Sequence, residues 1–428
     1  MFLVLLKFIF WYPLVMSLFW IIGSILFYLK REKNPAPKLT EFPMVSILIP
    51  CYNEEAVVEN TIEKTMLTDY PNYEVIAIND GSKDTTGVLL DTLSEKYDRL
   101  RVVHLLNNSG KANALYAGLL VSNSEFLATI DADAYMNPDA LGHMIYHFTT
   151  PNNSERVGAV TGNPRVRNRS SLLAKIQLSE YSSIISSIKR TQRILGKVMT
   201  VSGVVAVFRK KALLDSGLWD RDLITEDIGI TWKLQRRFWD IRYEPRALCW
   251  ILVPETLSGF WKQRIRWAQG GLEVLIRHWK IIFSWKNRRL IPILIEQLAS
   301  VVWAISWLMV TLWMLYKWAL TGNLNLIHWQ GQYLLMLCLF QFLIAMRLDQ
   351  NYDEKLLRYY AWAIWYPTFY WYFNALIVVR AIPKAFKSSR NHDFAIWESP
   401  DRGLSNNTLT KRSITKIEQK YNRYKKES

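Results

Sequence analysis

The sequence predicts an α/β domain, built on an open parallel sheet and set between apolar segments long enough to cross a bilayer. Two observations carry this. Short, continuously apolar runs alternate with helical stretches through the first third of the chain, and long uncharged runs stand at both ends. A mean hydropathy of zero hides that split. The 428 residues suffice for one large domain with its own core plus a membrane part.

In chain order, Phe8 to Leu29 carry no charge and make a helix of about 33 Å, enough to span. Lys30, Arg31 and Lys33 follow at once, which places the next segment in the cytoplasm. The run is longer than the apolar part of a cleavable leader, so residues 1–29 are expected to be an anchor. "NPAPKLTEFP" is a Pro-broken linker within 30–43. "MVSILIP", "YEVIAIND", "RVVHLL" and "FLATIDAD" then read as strands, with "AVVENTIEKTML", "TGVLLDTLSEKY" and "GKANALYAGLLVS" as intervening helices. That alternation predicts a parallel sheet covered on both faces, over 44–254. "GNPRVRNRS" reads as a loop and "TVSGVVAVFRK" as a strand, both able to line a groove through Arg165 and Ser202.

Residues 255–289 read as one or two amphipathic helices at the cytoplasmic interface. From 290 to 382 come three apolar blocks: Leu290 to Tyr316, roughly Ala319 to Met346, and Tyr359 to Val379. Four crossings would leave the basic 383–428 tail outside, against the positive-inside tendency. The block holding Pro367 and Asn374 is therefore expected to be re-entrant or interfacial. Glu296 and Gln341 lie inside apolar blocks, where polar groups must face protein or water, and are candidates to line a channel.

The formal charge of +16 suits phosphates or an anionic membrane surface; no nucleic-acid motif accompanies it. Cys51, Cys249 and Cys338 are odd in number and lack CxxC spacing, so neither a disulfide framework nor a zinc site is expected. His143 and His147 are four apart, but Met144 stands where a zincin has Glu; they read as helix-surface histidines.

Ligands of open parallel sheets bind beyond the carboxyl ends of the strands. There stand Tyr52, Asn53 and Glu54 after the first strand, Asp80 after the second, and Asp131 and Asp133 after the fourth. One Asp at such a place is more often a turn or cap residue. Acids from three strands on one edge repel each other unless a cation binds them. Asp131 and Asp133 are two apart and would share a face of an extended chain, which suits Mg²⁺ or Mn²⁺ with open positions for diphosphate oxygens. Lys111, at a helix start, is placed for the same phosphates. Thr225-Glu226-Asp227 precedes a helix, and an N-terminal cap is its bland reading.

Asp80, Asp131-x-Asp133, Thr225-Glu226-Asp227 and Gln263-x-x-Arg266-Trp267 occur in the order used by processive family 2 glycosyltransferases, which the chain resembles. "GAVTGNPRVR", "YEPRALCWILVPETL", "KQRIRWAQGG" and "SPDRG" extend the resemblance to the bacterial poly-β-1,6-N-acetylglucosamine synthases. It implies a cytosolic GT-A domain joined to transmembrane helices that form a polymer channel. The membrane would be the bacterial inner membrane, the donor UDP-N-acetylglucosamine, and the product a growing polysaccharide. A small two-helix membrane partner subunit is also implied. Carried over by position, Tyr52 and Glu54 would hold uracil, Asp80 the uridine, and Lys111 the diphosphate. Asp131 and Asp133 would hold the metal and nucleotide-sugar. Asp227, with Glu226 beside it, would be the base. Gln263, Arg266 and Trp267 would close over the nucleotide and shape the acceptor end, with Arg165, Ser202 and Thr225 as further acceptor contacts. A chitin-oligosaccharide or hyaluronan synthase, a single-sugar transferase to polyprenyl phosphate, and a phosphate-binding scaffold are the alternatives.

Overall fold

The computed structural model describes residues 2–36, 38–150, 154–322, 331–391 and 395. It divides into two compact units. Among the described residues, one unit lies within 32–174 and 196–260, with Ala395, and the other within 2–31, 175–195 and 261–391. The expected basic tail beyond 391, Ala395 apart, and the SPDRG motif lie outside the described residues.

The first unit is built on an eight-stranded sheet. Its strands are β1 (Val45–Cys51), β2 (Tyr73–Asp80), β3 (Leu100–Leu105), β4 (Phe126–Ile130), β5 (Tyr135–Met136), β6 (Val157–Val166), β7 (Val205–Arg209) and β8 (Asp240–Ile251), in the order β3-β2-β1-β4-β7-β6-β8-β5. β3, β2, β1 and β4 run parallel, as the alternation of strands and helices predicts. β1 and β2 are buried at every position, which is why they read as unbroken apolar runs. The helix Lys111–Val121 covers one face of these strands. Gly118 lets it approach: a Cβ there would meet Ile78 and Leu48 side chains at 3.0 and 3.1 Å. Leu48, Ile76, Ile78, Leu115, Leu127 and Phe208 are part of the resulting core.

The far half of the sheet departs from the expected parallel arrangement. β7 pairs antiparallel with both β4 and β6, and β5 pairs antiparallel with β8, while β6 and β8 are parallel. A strand buried on both faces shows the same apolar run in either direction. "GNPRV" is likewise strand, not loop, because β6 continues through Pro164 to Val166 beside β8.

The second unit is helical. Phe2–Phe27 is a helix running into a π turn at Tyr28–Glu32, and Ile291–Thr321 ends on left-handed Gly322 (φ 65°), a common helix stop. With Gly331–Asp349 these give three helices long and apolar enough to cross a membrane, by length and composition. The block with Pro367 is broken into a 3₁₀ stretch, Leu356–Ile364, a π turn, Tyr366–Tyr370, and a helix, Trp371–Asn391. Residues 175–195, expected within the sheet domain, pack instead with the apolar helices. Their polar side chains meet polar partners there. Ser187 Oγ is 2.6 Å from Ser24 Oγ, Thr191 Oγ1 donates to Trp20 O (3.0 Å), and Arg190 pairs with Asp349 (2.7 Å) with both side chains fully buried. Glu296 and Gln341 have partners in the same segment: Gln192 Nε2 donates to Glu296 Oε2 (3.2 Å), and Gln341 Nε2 to Ser183 O (3.1 Å).

Candidate active site

At the carboxyl ends of β1 and β2 two loops are tied to each other. Asn53 adopts φ +53°, a left-handed conformation that Asn tolerates better than most residues. Its N–H donates to Ser82 Oγ (3.0 Å) and its Oδ1 accepts from Lys83 N (2.9 Å), while Glu54 N donates to Thr86 Oγ1 (2.7 Å). Tyr52 is half-buried and Glu54 buried beside this knot.

Asp80 ends β2 and is 0% exposed. Its two oxygens accept the N–H groups of Ser109 (3.0 Å) and Gly110 (2.9 Å). Burial pushes its carboxyl above the usual range, opposed by those two bonds. Asp80 thus braces the turn at Gly110 (φ 88°), which launches the helix beginning at Lys111.

Lys111 reaches from that first turn into the acids. Its Nζ lies 2.6 Å from Asp131 Oδ1 and 2.9 Å from Glu226 Oε1, and donates to Gly203 O (3.2 Å). Burial alone would lower its pKa; Asp131 and Glu226 outweigh that and raise it, so the ammonium stays charged. Asp131 is pushed up by burial, opposed by Lys111 and reinforced by Asp133. The geometry of the pair differs from the expected extended chain. β4 stops at Ile130, and Asp131 to Ala134 form a turn closed by Ala134 N to Asp131 O (3.0 Å), with Ala132 O held by Thr61 Oγ1 (2.7 Å).

Asp227 sits in the first turn of the helix Glu226–Arg236. Its Oδ2 accepts Gly203 N–H (3.1 Å) and its Oδ1 accepts Ile228 N–H (2.9 Å). Burial, and then the neighbouring Glu226, push its carboxyl up to about 6. Thr225 stands at the N-cap position but makes no capping bond. Its hydroxyl is buried without a hydrogen-bond partner, which fits a ligand contact better than a cap.

Lys111, Asp131, Asp133, Glu226 and Asp227 therefore share one neighbourhood, with Gly203 between Lys111 and Asp227. Arg165 is 1% exposed within β6, with Trp250 of β8 as its register partner. Ser202 is buried with its N–H on Thr161 Oγ1 (2.7 Å). Gly203, one residue on, makes the contacts, and no side chain advertises it. His147 corrects its surface reading: its Nε2 is 2.9 Å from Oε2 of buried Glu244.

Gln263, Arg266 and Trp267 lie on the helix Leu257–His278. Spaced by three and four residues, they share a helix face. Gln263 Oε1 is buried without a hydrogen-bond partner.

The acid neighbourhood suits a divalent cation. Asp131 and Glu226 pair with Lys111, with Asp133 and Asp227 near them, the donors are hard oxygens, and Asp131 is raised first by burial and further by like-charged Asp133. Among the described residues no three His, Cys, Asp or Glu side chains gather closely enough to hold an ion alone. Such an ion would use Asp131 and Asp133 and leave positions for substrate oxygens.

Residues 43–270 match the family "Glycosyltransferase like family 2". A Staphylococcus epidermidis protein named poly-beta-1,6-N-acetyl-D-glucosamine synthase is 41% identical over 410 residues, covering 93% of this chain and 98% of its own. Its namesake from Staphylococcus aureus strain COL is 41% identical over 415 residues, with the same coverage. Among solved structures, a mannosyltransferase from Pyrobaculum calidifontis in complex with GDP-Man and Mn²⁺ is similar in fold. It matches with a TM-score of 0.61 and 20% identity, over 87% of this chain and 97% of that one.

Proposed function

The chain belongs to glycosyltransferase-like family 2, and from that membership we propose that it polymerises N-acetylglucosamine from UDP-N-acetylglucosamine into poly-β-1,6-N-acetylglucosamine at a membrane. The acceptor 6-hydroxyl attacks the anomeric carbon, the bond from that carbon to the UDP oxygen breaks, and the new linkage is β by inversion. The hydroxyl proton passes to Asp227. UDP leaves with the electron pair.

The observation that carries this reading is the state of Asp227. A carboxylate held by two N–H groups and raised to about 6 is ionised at neutral pH, yet basic enough to take a proton. Lys111 supplies positive charge beside Asp131 for the diphosphate. Mg²⁺ or Mn²⁺ on Asp131 and Asp133 would neutralise the departing UDP. Tyr52, Glu54 and the Asp80-braced turn hold the uridine end. Motif order assigns Gln263, Arg266 and Trp267 to the nucleotide and acceptor ends, and the buried Gln263 oxygen without a hydrogen-bond partner fits a ligand contact.

The chain sits as a multi-pass protein in the bacterial inner membrane with its sheet domain cytoplasmic. Three spans with a broken fourth block return the basic C-terminus to the cytoplasm, which relieves the charge-parity conflict. A small two-helix membrane partner belongs to this reading through the family resemblance, and copurification tests it. Membrane vesicles given UDP-N-acetylglucosamine and Mg²⁺ are expected to yield polymer degraded by a β-1,6-specific hydrolase. Polymer resistant to it points to a chitin or hyaluronan synthase, and a single-sugar lipid to a polyprenyl transferase. No UDP release with any UDP-sugar leaves only a scaffold.

A further inference from the structure

Of the two residues between Gln263 and Arg266, one is charged, and the motif gives it no role. Arg264, between Gln263 and Arg266, is 7% exposed. It forms a two-pronged ion pair with Glu180, Nη1 to Oε1 at 2.9 Å and Nη2 to Oε2 at 2.7 Å. Tyr370 donates its hydroxyl to the same Oε1 (2.5 Å). The Arg264 guanidinium lies over the Trp267 ring, 4.3 Å from its centroid, as residues three apart on one helix face allow. Tyr181, next to Glu180, meets that ring edge-on at 6.5 Å.

Glu180 and Tyr181 thus hold the indole together, one through Arg264 and one directly. They stand where the helix Leu172–Glu180 gives way to the π turn Tyr181–Ser186, a distortion common at functional sites. A buried ion pair is a poor device for stability alone, since apolar residues of the same volume pack as well. What it adds is direction: a bidentate Arg fixes its own plane, and hence the plane of what stacks on it. Trp267 itself stays half-buried, with surface left to contact a ring.

Resting on the transferase reading above, we infer that Arg264, pinned by Glu180, is a positioning residue that fixes the plane of Trp267 against the acceptor sugar. It acts through Trp267 and leaves donor binding alone.

The test uses the purified full chain in lipid with UDP-N-acetylglucosamine and Mg²⁺, reading product length and the KM for donor. Glu180→Gln and Arg264→Lys are each expected to shorten the product about threefold or more while the donor KM stays at its wild-type value. In a Trp267→Ala background neither should shorten it further. Unchanged length, shortening additive with Trp267→Ala, or a donor KM that rises in step overturns the proposal. Where Glu180→Gln fails to insert, the milder Arg264→Lys decides by the same criteria. A wild-type chain that releases no UDP sinks the transferase reading itself, a result distinct from any variant difference.

Discussion

Lys111 Nζ lies 2.6 Å from Asp131 Oδ1, so the first acid of the Asp-x-Asp pair already carries a cation supplied by the chain. Glu226, at 2.9 Å, shares it. Lys111→Met removes the only ammonium described as pairing with these two acids and leaves buried carboxylates facing each other. Breaking such a pair costs about 3 kcal/mol. Thermal unfolding is expected to drop by several degrees, and added Mg²⁺ or Mn²⁺ to restore more of it in the variant than in the wild type. Equal stabilisation of both by metal would separate Lys111 from the cation site.

Gly203 fits between Lys111 and Asp227 because it has no side chain. A Cβ there would stand 3.0 Å from Asp227 Oδ2 and 3.3 Å from its carboxyl carbon. Gly203→Ala therefore displaces the acid by a few tenths of an ångström without straining the backbone. Small misplacements of a reacting group cost up to about 100-fold. We expect kcat to fall at least tenfold with the donor KM little changed, read by steady-state UDP release. A fully active Gly203→Ala would remove Asp227 from the chemistry.

The pH profile follows from Asp227. Its carboxyl is pushed up to about 6, first by burial and then by Glu226. As the proposed base, Asp227 acts ionised, so log kcat should rise with unit slope below about pH 6 and level above it. Stability runs the other way. A carboxyl raised in the fold contributes stability below its unfolded value of 3.8, and that contribution is lost as pH rises through about 6. Asp227→Asn should flatten this component of the unfolding profile.

Asp80 gives a prediction that needs no substrate. Both of its oxygens accept backbone N–H groups, from Ser109 and Gly110. Asp80→Asn turns one acceptor into a donor aimed at an N–H, a loss of about 1–3 kcal/mol. Amide exchange at Ser109 and Gly110 should quicken in the donor-free protein. Unchanged exchange with weakened UDP binding would make Asp80 a direct ligand contact only.

β1, β2 and β4 were legible because each is buried along its whole length and reads as an apolar run. The edge strand β3, with Arg101 and His104 exposed, was legible by its Val102-Val103 pair and its place in the alternation with helices. β7 was legible as a strand but its antiparallel direction was not, since burial erases direction. The acids at the strand ends were legible by type and position, and Thr225-Glu226-Asp227 by its order in the motif set. Gly203 escaped because its two contacts are made by backbone. The segment from Lys175 to Leu195 escaped for the opposite reason. Its Ser, Arg, Thr and Gln side chains look like a solvated helix, yet they are buried against Ser24, Glu296 and Asp349, polar groups from distant apolar helices. Such matching is invisible until both halves are folded.

One measurement bears on the centre of the account: UDP release by purified Asp227→Asn, shown to be folded and lipid-inserted, with UDP-N-acetylglucosamine and Mg²⁺. A fall of about 100-fold or more in rate, with donor still bound, is the predicted result. A rate near that of the wild type would mean that the carboxylate between Gly203 and Ile228 is not the base.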